Sequence, residues 1–586
     1  MKKDLRMTAL PIPQPGPAPS VAPRIGARAV CEALVREGVT TIFGYPGGTV
    51  LPIYDVLREF PLRHILVRHE QGGAHAADGY SRATRGVGVA IATSGPGAIN
   101  LVTGLATAMM DSVPMVAITG NVPRALLGKD AFQETDIVGI ALPVTKYATV
   151  VMDPDEVPYA VAEAFEIARS GRPGPVLLDF PKDVLQLETT VPYPEPHQLR
   201  LPGLLRPVRG DVAEADELAE MMATAERPLI LAGHGVQIAG AIDLLRQVAE
   251  RSEVPVAHTL LGIGNMDETH RLSAGYAGMH GWMHVNKAIQ QSDLLIGIGC
   301  RYDDRITGKT STFAPNARIV HVDVDRSEIG KNVRTDLGIV ADAGDLLAAL
   351  LRRLEQREPR SAWLAQIAAW REVSEARSWH GSGAWREGRL SADYVIDQIG
   401  EATDHEAILV SDVGQNQMWA ARYFGFRHPY RHLSSGGVGT MGYSVPAAMG
   451  AALGAPEHEV WAVVGDGGFQ MTMQELATLV QDQIPVRIAV LNNHRLGMIR
   501  QWQEIIYDEN YHSAELLGPD LVRLCEAYGI PAWRATRPDE VAPVIAEARK
   551  APGPALIDFH LDEAQNVYPM MLPGKGLSDM VEGASE

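Results

Sequence analysis

Cysteine is almost missing from this chain: Cys31, Cys300 and Cys525 are the three in 586 residues. They are widely separated and form no Cys-x-x-Cys pair, which disfavours a disulfide framework or a zinc site and fits a reducing compartment. Positive charge is also short, with 52 Lys and Arg against 71 Asp and Glu, for a formal net charge of −19. A nucleic-acid partner needs clustered cations that displace counterions, so this balance disfavours one; keeping a large protein in solution is the simpler reading. No run of about 20 apolar residues escapes Gly, Pro or charge, so no membrane span is expected. The opening MKKDLRMTALPIPQPGPAPSVAP has two early lysines but no apolar stretch behind them. Residues 1–24 therefore read as a flexible Pro-rich tail and not as a signal peptide, and the cytoplasm is the expected location.

What is present is a large globular chain, 46% hydrophobic and 21% charged, long enough for roughly three domains. From about Arg24, amphipathic segments such as ARAVCEALVREG alternate with short apolar strands that run into glycine: TTIFGYPGG, RHILVRHEQGG, GVGVAIATSGPG. Strand, glycine turn, helix, repeated, is the pattern of a parallel sheet wrapped by helices. A Pro-rich stretch, TTVPYPEPHQLRLPGLLRPV, reads as a linker. A second α/β unit follows to about Arg360, and a third repeats the style of the first with AILVSDVG, EVWAVVGDGG, VRIAVLNNHR and PALIDFHLDE. The expected divisions are 25–190, 205–360 and 385–565, with 566–586 as a C-terminal arm.

The third unit carries the most specific feature. Strand EVWAVV enters Gly465-Asp466-Gly467-Gly468, a helix follows, and strand VRIAVL ends in Asn492-Asn493. Parallel strands of a β-α-β unit end on one edge, so Asp466 and Asn493, 27 positions apart, are expected side by side where open α/β sheets bind ligands. A carboxylate, an amide oxygen and main-chain carbonyls suit a hard cation such as Mg²⁺, and bare glycines with a helix N-terminus suit phosphates. Either piece alone is more simply a turn or a strand cap; the combination is what points to a metal-anchored diphosphate. A second candidate, Glu70, lies in His69-Glu70-Gln71-Gly72 where a strand becomes a helix. Its bland reading is a carboxylate at a helix N-terminus.

GDGGF…LNN resembles the motif of thiamine-diphosphate enzymes. The ordered series FGYPGG, RHEQG, TSGPGA, KDAFQETDIVGI, SGRPGPV, GMHG, RYDDRITG, VGQNQMWAA, SGGVGTMGY, NNHRLGMIRQWQ and YPM resembles the acetohydroxyacid synthase catalytic subunit family along nearly the whole chain from about residue 25. That resemblance implies α/β architecture, three doubly wound parallel-sheet domains, the first binding the pyrimidine, the last the diphosphate and Mg²⁺, and the middle one Rossmann-like and FAD-binding. It implies thiamine diphosphate, Mg²⁺ and FAD as cofactors and 2-keto acids as substrates, joined with loss of CO₂ to give 2-acetolactate or 2-aceto-2-hydroxybutyrate. It implies a homodimer or homotetramer with sites formed between subunits, and a separately encoded small regulatory subunit as a further partner.

The same resemblance assigns residues. Glu70 faces N1′ of the aminopyrimidine, and burial is expected to raise its pKa; Gln133 and Lys182 join it as catalytic candidates. Tyr45, Pro46, Gly47, Gly48, Val413, Gly414, Gln415, Asn416, Gly439, Met441, Gly467, Gly468 and Met498 surround the coenzyme. Asp466, Asn493 and the Arg495 carbonyl hold the metal. Phe132, Arg305 and Trp502 meet substrate, although a Trp in an amphipathic stretch is more often core and a single Arg more often surface. Arg172, Met279, His280, Arg301, Asp303, Arg305, Asp323 and Asp342 match the FAD pattern, even though AGHGVQIAG lacks the GxGxxG spacing. The chain departs from the family at Thr49, Asn121, Lys129 and Asn416. An FAD-linked pyruvate oxidase, a flavin-free catabolic acetolactate synthase and a catalytically dead paralogue are the rival readings.

Overall fold

The computed structural model describes residues 21–199, 201, 212–377 and 388–583. The tail expected over 1–24 lies almost wholly outside these residues, as does part of the Pro-rich linker. Among the described residues, no helix is long and apolar enough to cross a membrane.

Three six-stranded sheets, all parallel, form the frame. The first comprises β1 (Thr41–Gly44), β2 (Arg63–Leu66), β3 (Gly88–Ala92), β4 (Met115–Asn121), β5 (Tyr147–Val150) and β6 (Pro175–Pro181), in the order β2-β1-β3-β4-β6-β5. Its central strands are apolar and buried along their whole length, as strands covered by helices on both faces have to be. Two of its helices matter below: α1 (Glu70–Thr84) and α2 (Val102–Asp111). Helix α1 begins where His69 leaves extended backbone and its Nδ1 accepts from the Gln71 amide; it ends where Arg85 turns left-handed.

The second sheet runs β9-β8-β7-β10-β11-β12, from β7 (Pro228–Ala232), β8 (Val256–His258), β9 (Ser273–Tyr276), β10 (Leu294–Ile298), β11 (Arg318–Asp323) and β12 (Leu337–Val340). Counted from its own first strand this is 3-2-1-4-5-6, the doubly wound order that leaves a crevice between its first and fourth strands. Helix α3 (His234–Ile238) follows β7.

The third sheet comprises β13 (Ile408–Ser411), β14 (His432–Ser434), β15 (Val460–Gly465), β16 (Val486–Asn492), β17 (Ala532–Ala535) and β18 (Ala555–His560), in the order β14-β13-β15-β16-β18-β17. That repeats the order of the first sheet strand for strand. Its helices include α4 (Gln415–Tyr423), α5 (Ser444–Gly454), α6 (Asp466–Thr472), α7 (Leu476–Gln481) and α8 (Gly497–Ile506). The C-terminal segment folds into a short antiparallel pair, Met570–Met571 with Met580–Val581, packed on the second sheet's core.

The first and third sheets share one hydrophobic core, in which Phe43, Ala90 and Ala117 meet Val410, Ala462 and Val490. Helices α1 and α5 join them. Both are rich in small residues, and the reason is close backbone approach: a Cβ on Gly79 would lie 2.0 Å from the Ala447 carbonyl oxygen, and one on Gly450 1.9 Å from that of Ala76. Gly450→Ala adds helix propensity but drives a methyl into the facing backbone, so unfolding free energy should drop by roughly 1–3 kcal/mol. Urea denaturation checks this; an unchanged midpoint would contradict so tight a crossing.

Candidate active site

In a sheet of order 2-1-3-4-6-5 the chain leaves its first and third strands in opposite directions, opening a crevice at their carboxyl ends. In the third sheet those ends are Asp412–Asn416 after β13 and Asp466–Gly468 at β15, with Asn493–Arg495 after the neighbouring β16. Gly465 of β15 is level with Leu491 of β16. The two motifs are therefore neighbours: the Arg495 amide donates to Asn493 Oδ1 at 3.2 Å and lies near enough to the Asp466 carboxylate to favour its charged form.

Asp466 is 7% exposed, and burial pushes its carboxyl up to about 7 against the hydrogen bonds from nearby amides. A divalent cation brought to this point would favour the charged form. Asn493 Nδ2 donates to Gln415 Oε1 at 3.3 Å, while Gln415 Nε2 donates to Gln501 Oε1 at 2.8 Å, so the Gln415 side chain is fixed. Asn416 Oδ1 is buried with no partner among the described residues. Gly414 adopts φ 125°, which a side chain would oppose, and a Cβ on Gly468 would lie 2.4 Å from Asp412 Oδ1. Oxygen donors of low charge, an orphaned amide oxygen and backbone bared by glycine fit a cation with a diphosphate.

The loop between β14 and α5, which carries Gly439 and Met441, is held at both ends by carboxylates that the motifs do not include. Asp111, at the end of α2, accepts from the amides of Gly436 and Gly437 at 2.9 and 2.8 Å. Asp412 accepts from those of Gly442 and Ser444, both at 2.9 Å. Asp111 is itself paired with buried Arg82, which also binds Asp78. Asp412 had a signal in the sequence, an acid just beyond a strand in VSDVG; Asp111 lies 325 positions from Gly436 and had none. Met441 sits against the diphosphate turn, its Cε 3.6 Å from where a Cβ on Gly467 would stand.

The first sheet repeats the same crevice with different residues. Its β1 ends in Tyr45-Pro46-Gly47-Gly48, its β2 leads to Glu70, and its β3 leads to Thr93–Gly97. A Cβ on Gly47 would lie 2.4 Å from Thr93 Cβ, and one on Gly97 3.0 Å from Glu70 Oε1, so these turns are stacked tightly. Glu70 Oε2 accepts from Asn100 Nδ2 at 2.9 Å. Burial expected from the sequence is not complete in one chain: Glu70 is half-buried, Tyr45 is 42% exposed and Phe132 88% exposed. Gln133, with φ 60°, backs onto Gly95, and Lys182 opens the short helix after β6.

A cavity of about 620 Å³ lies along the carboxyl edge of the second sheet, walled on its far side by the third domain. All eight residues of the FAD pattern line it: Arg172, Met279, His280, Arg301, Asp303, Arg305, Asp323 and Asp342. Gly233 and Gly235 after β7 press on Gly299 after β10; a Cβ on Gly233 would lie 2.1 Å from the Gly299 carbonyl oxygen, so bare backbone forms the cavity floor. His280 Nε2 is buried without a partner among the described residues, and burial, with Arg422 and Arg305 adding to it, lowers this imidazole to about 3, so it is neutral. Burial pushes the Asp323 carboxyl up to about 6. Asp303 and Asp342 also serve simpler ends, each capping a helix that starts one residue later. The cavity extends to Val413, Gly414, Gly439, Met498 and Trp502 of the third domain. None of Tyr45, Pro46, Gly47, Gly48, Glu70, Phe132, Gln133 or Lys182 lines it.

Two crevice-bearing sheets of one order flanking a doubly wound middle domain define the class of thiamine pyrophosphate enzymes. The family models agree: the N-terminal TPP binding domain of that class matches residues 24–140, the central domain 215–350 and the C-terminal TPP binding domain 412–559. The chain is 46% identical over 569 residues to an acetolactate synthase of Mycobacterium bovis, covering 95% of this chain and 91% of that one. It is 47% identical over 574 residues to an acetolactate synthase large subunit of Parasynechococcus marenigrum and 46% over 563 to one of Corynebacterium glutamicum, each at 95% of this chain and 90% of the relative. The chain belongs to the acetolactate synthase large-subunit family of thiamine pyrophosphate enzymes.

Asp466→Asn keeps the shape of the turn and removes its charge. Retention of thiamine diphosphate in the presence of Mg²⁺, followed by fluorescence titration, should weaken more than about 100-fold, since even outer residues of metal sites cost 10–100-fold. Binding at wild-type strength would exclude Asp466 as a ligand.

Proposed function

We propose that this protein decarboxylates pyruvate on thiamine diphosphate and joins the two-carbon unit to a second 2-keto acid, pyruvate or 2-ketobutyrate. The products are 2-acetolactate or 2-aceto-2-hydroxybutyrate, made in the first common step of branched-chain amino acid biosynthesis. The observation that carries this reading is the family membership, together with the convergence of Asp466 and Asn493 on the Arg495 amide beside bare glycines. Thiamine diphosphate, when bound, supplies the carbon nucleophile and the electron sink that decarboxylation requires.

The chain's own residues do the rest. Asp466, Asn493 and the Arg495 carbonyl hold Mg²⁺, and the amides of Gly467 and Gly468, with Gln415 and Asn416, hold the diphosphate it neutralises. Val413, Gly414, Gly439, Met441 and Met498 shape the bed of the coenzyme. Glu70 would present its carboxyl to the aminopyrimidine of the coenzyme and could share a proton with it, and Gln133 and Lys182 would meet the substrate. The cavity along the second sheet would take FAD, its His280 Nε2 and glycine floor suiting a flat ring system and a diphosphate. Arg305 lies at this cavity with its side chain 60% exposed, and so can reach a keto-acid carboxylate.

Because Glu70 is only half-buried and Phe132 is exposed in one chain, a second subunit covers them and brings its own diphosphate half. Apolar side chains exposed on the first and third domains support this, among them Phe132 at 88%, Leu142 at 59%, Met471 at 56% and Leu517 at 99%. A homodimer is the smallest assembly that completes the site; a homotetramer and a small regulatory subunit belong to the same reading. A cytoplasmic location accords with three cysteines that are all unpaired and buried.

The test is acetoin formation after acidifying a pyruvate reaction from which thiamine diphosphate, Mg²⁺ and FAD are omitted in turn. Each omission should reduce the colour, and a flavin spectrum should accompany the purified protein. Pyruvate consumption with oxygen uptake and no acetolactate would replace this reading by an oxidase. Trp502 lines the cavity, and on this reading it contacts the extra methylene of 2-ketobutyrate. One methylene is worth about 1–3 kcal/mol in an apolar pocket, so Trp502→Leu should lower the ketobutyrate-to-pyruvate acceptor ratio by roughly tenfold or more. An unchanged ratio would remove Trp502 from the substrate pocket.

A further inference from the structure

The turn that carries Glu70 is held by a residue of the third domain. Strand β2 ends at Leu66, and the chain passes through Val67, Arg68 and His69 before α1 begins. The side chain that meets the amides of this turn is Glu475, fully buried at the end of the 3₁₀ turn Met473–Glu475. Its Oε1 accepts from the Arg68 amide at 3.0 Å and the His69 amide at 3.1 Å, and its Oε2 from the Arg68 amide at 3.1 Å and Thr478 Oγ1 at 2.7 Å. Two further residues of the same helical face complete the grip. Thr478 Oγ1 lies 3.3 Å from the Leu66 carbonyl oxygen, and Gln481 Oε1 accepts from Arg68 Nη2 at 2.8 Å. Residues 475, 478 and 481 are spaced three apart, as neighbours along one side of a helix.

The glycine of His-Glu-Gln-Gly has its reason here: a Cβ on Gly72 would lie 2.6 Å from Glu475 Oε1. On its other side Glu70 meets Asn100 at 2.9 Å and the backbone at Gly97. The turn that leads into Glu70 is thus fixed by Glu475, and the Glu70 carboxyl itself by Asn100.

We propose that Glu475 is a positioning residue for Glu70, its carboxylate setting the strand-to-helix turn so that the Glu70 side chain points into the crevice. The inference rests on the reading of Glu70 as the group that meets the pyrimidine. Two amides left without their charged acceptor in a buried turn would seek other partners and shift the residue that follows them. Displacement of a reacting group by about 1 Å costs on the order of 100-fold in rate.

The experiment compares the full-length holoenzyme with Glu70→Gln, Glu475→Ala and Glu475→Gln. For Glu475→Ala, kcat should fall roughly 100-fold while KM for pyruvate stays within about twofold, the split expected when a transition-state contact is lost. The near-ultraviolet circular dichroism of bound thiamine diphosphate should change toward that of Glu70→Gln. Glu475→Gln, which keeps one neutral acceptor where the carboxylate offered two charged ones, should recover part of the loss and remain about tenfold below wild type in kcat. If Glu70→Gln itself works at full speed, the reading of Glu70 fails, whatever Glu475 does. If Glu70→Gln is inactive while Glu475→Ala keeps wild-type kcat and dichroism, or loses only melting temperature with kcat per folded molecule unchanged, the proposal is overturned. Should Glu475→Ala not fold, Glu475→Gln decides alone: unchanged kcat and dichroism overturn the proposal, and a reduced kcat with altered dichroism upholds it.

Discussion

The contact on which the rest depends is the crossing of α1 and α5 through glycine. Backbone meets backbone at Gly79 and Gly450 with no room for a methyl group, and the sheets on either side share one core. A joint of that kind permits one relative placement of the first and third domains, because packed interiors resist even small changes in volume. Other long-range contacts depend on that placement. Asp111 reaches from α2 to the amides of Gly436 and Gly437, and Glu475 reaches from the third domain to the amides of Arg68 and His69. Each holds a loop that bears a candidate site residue, Gly439 and Met441 in one case, Glu70 in the other. The same rigidity keeps the Glu70 crevice on an open surface of its own chain, with Phe132 almost wholly exposed beside it. On the reading proposed above, a second copy supplies what this geometry withholds.

The three sheets divide labour through strand order and through the side chains set at their crevices. The first and third share the order 2-1-3-4-6-5 and place a crevice at the same point of the frame, one furnished with Glu70 and the glycine loop, the other with Asp466, Asn493 and Asn416. Duplicated architecture with different side chains gives two unlike ends, as a coenzyme with an aromatic base at one end and a diphosphate at the other requires. The second sheet, in the order 3-2-1-4-5-6, places a longer cavity along its edge, and that cavity reaches Gly439 and Val438 of the loop that Asp111 clamps. On the reading proposed above, whatever fills the cavity leans on the bed of the coenzyme. A flavin there would act on the site by packing, which suits a reaction with no net electron transfer.

The α/β class was legible because parallel strands buried on both faces are continuously apolar and end in glycine, as MVAITGN and VWAVVG show. The pairing of Asp466 with Asn493 was legible for a related reason: a β-α-β unit brings residues 27 apart to one edge without reference to anything distant. What sequence could not show is contact between domains. Glu475 reads as an ordinary helical glutamate in MTMQELATL, and nothing local connects it to Arg68, 407 positions earlier. Asp111 and His234 are equally silent; they acquire meaning when three domains converge on the cavity wall. The FAD pattern was carried by resemblance, since the glycines that line the cavity, Gly235 and Gly299, come from two separated turns and make no single fingerprint. The incomplete cover over Glu70 was foreseen only through the resemblance, which implies sites between subunits, because burial expected from a motif says nothing about which chain provides it.

The central claim, that one coenzyme is held by Glu70 of one subunit and Asp466 of another, is tested most directly by complementation between two dead variants. Glu70→Gln and Asp466→Asn are purified separately, shown to be inactive, and then co-expressed with distinct tags so that mixed dimers form. A mixed dimer has one site with both defects and one with neither, so with random pairing about a quarter of wild-type carboligase activity should return, and mixed dimers isolated through both tags should carry all of it. If the mixed dimers are as inactive as their parents, each site is built within a single chain and the account is wrong.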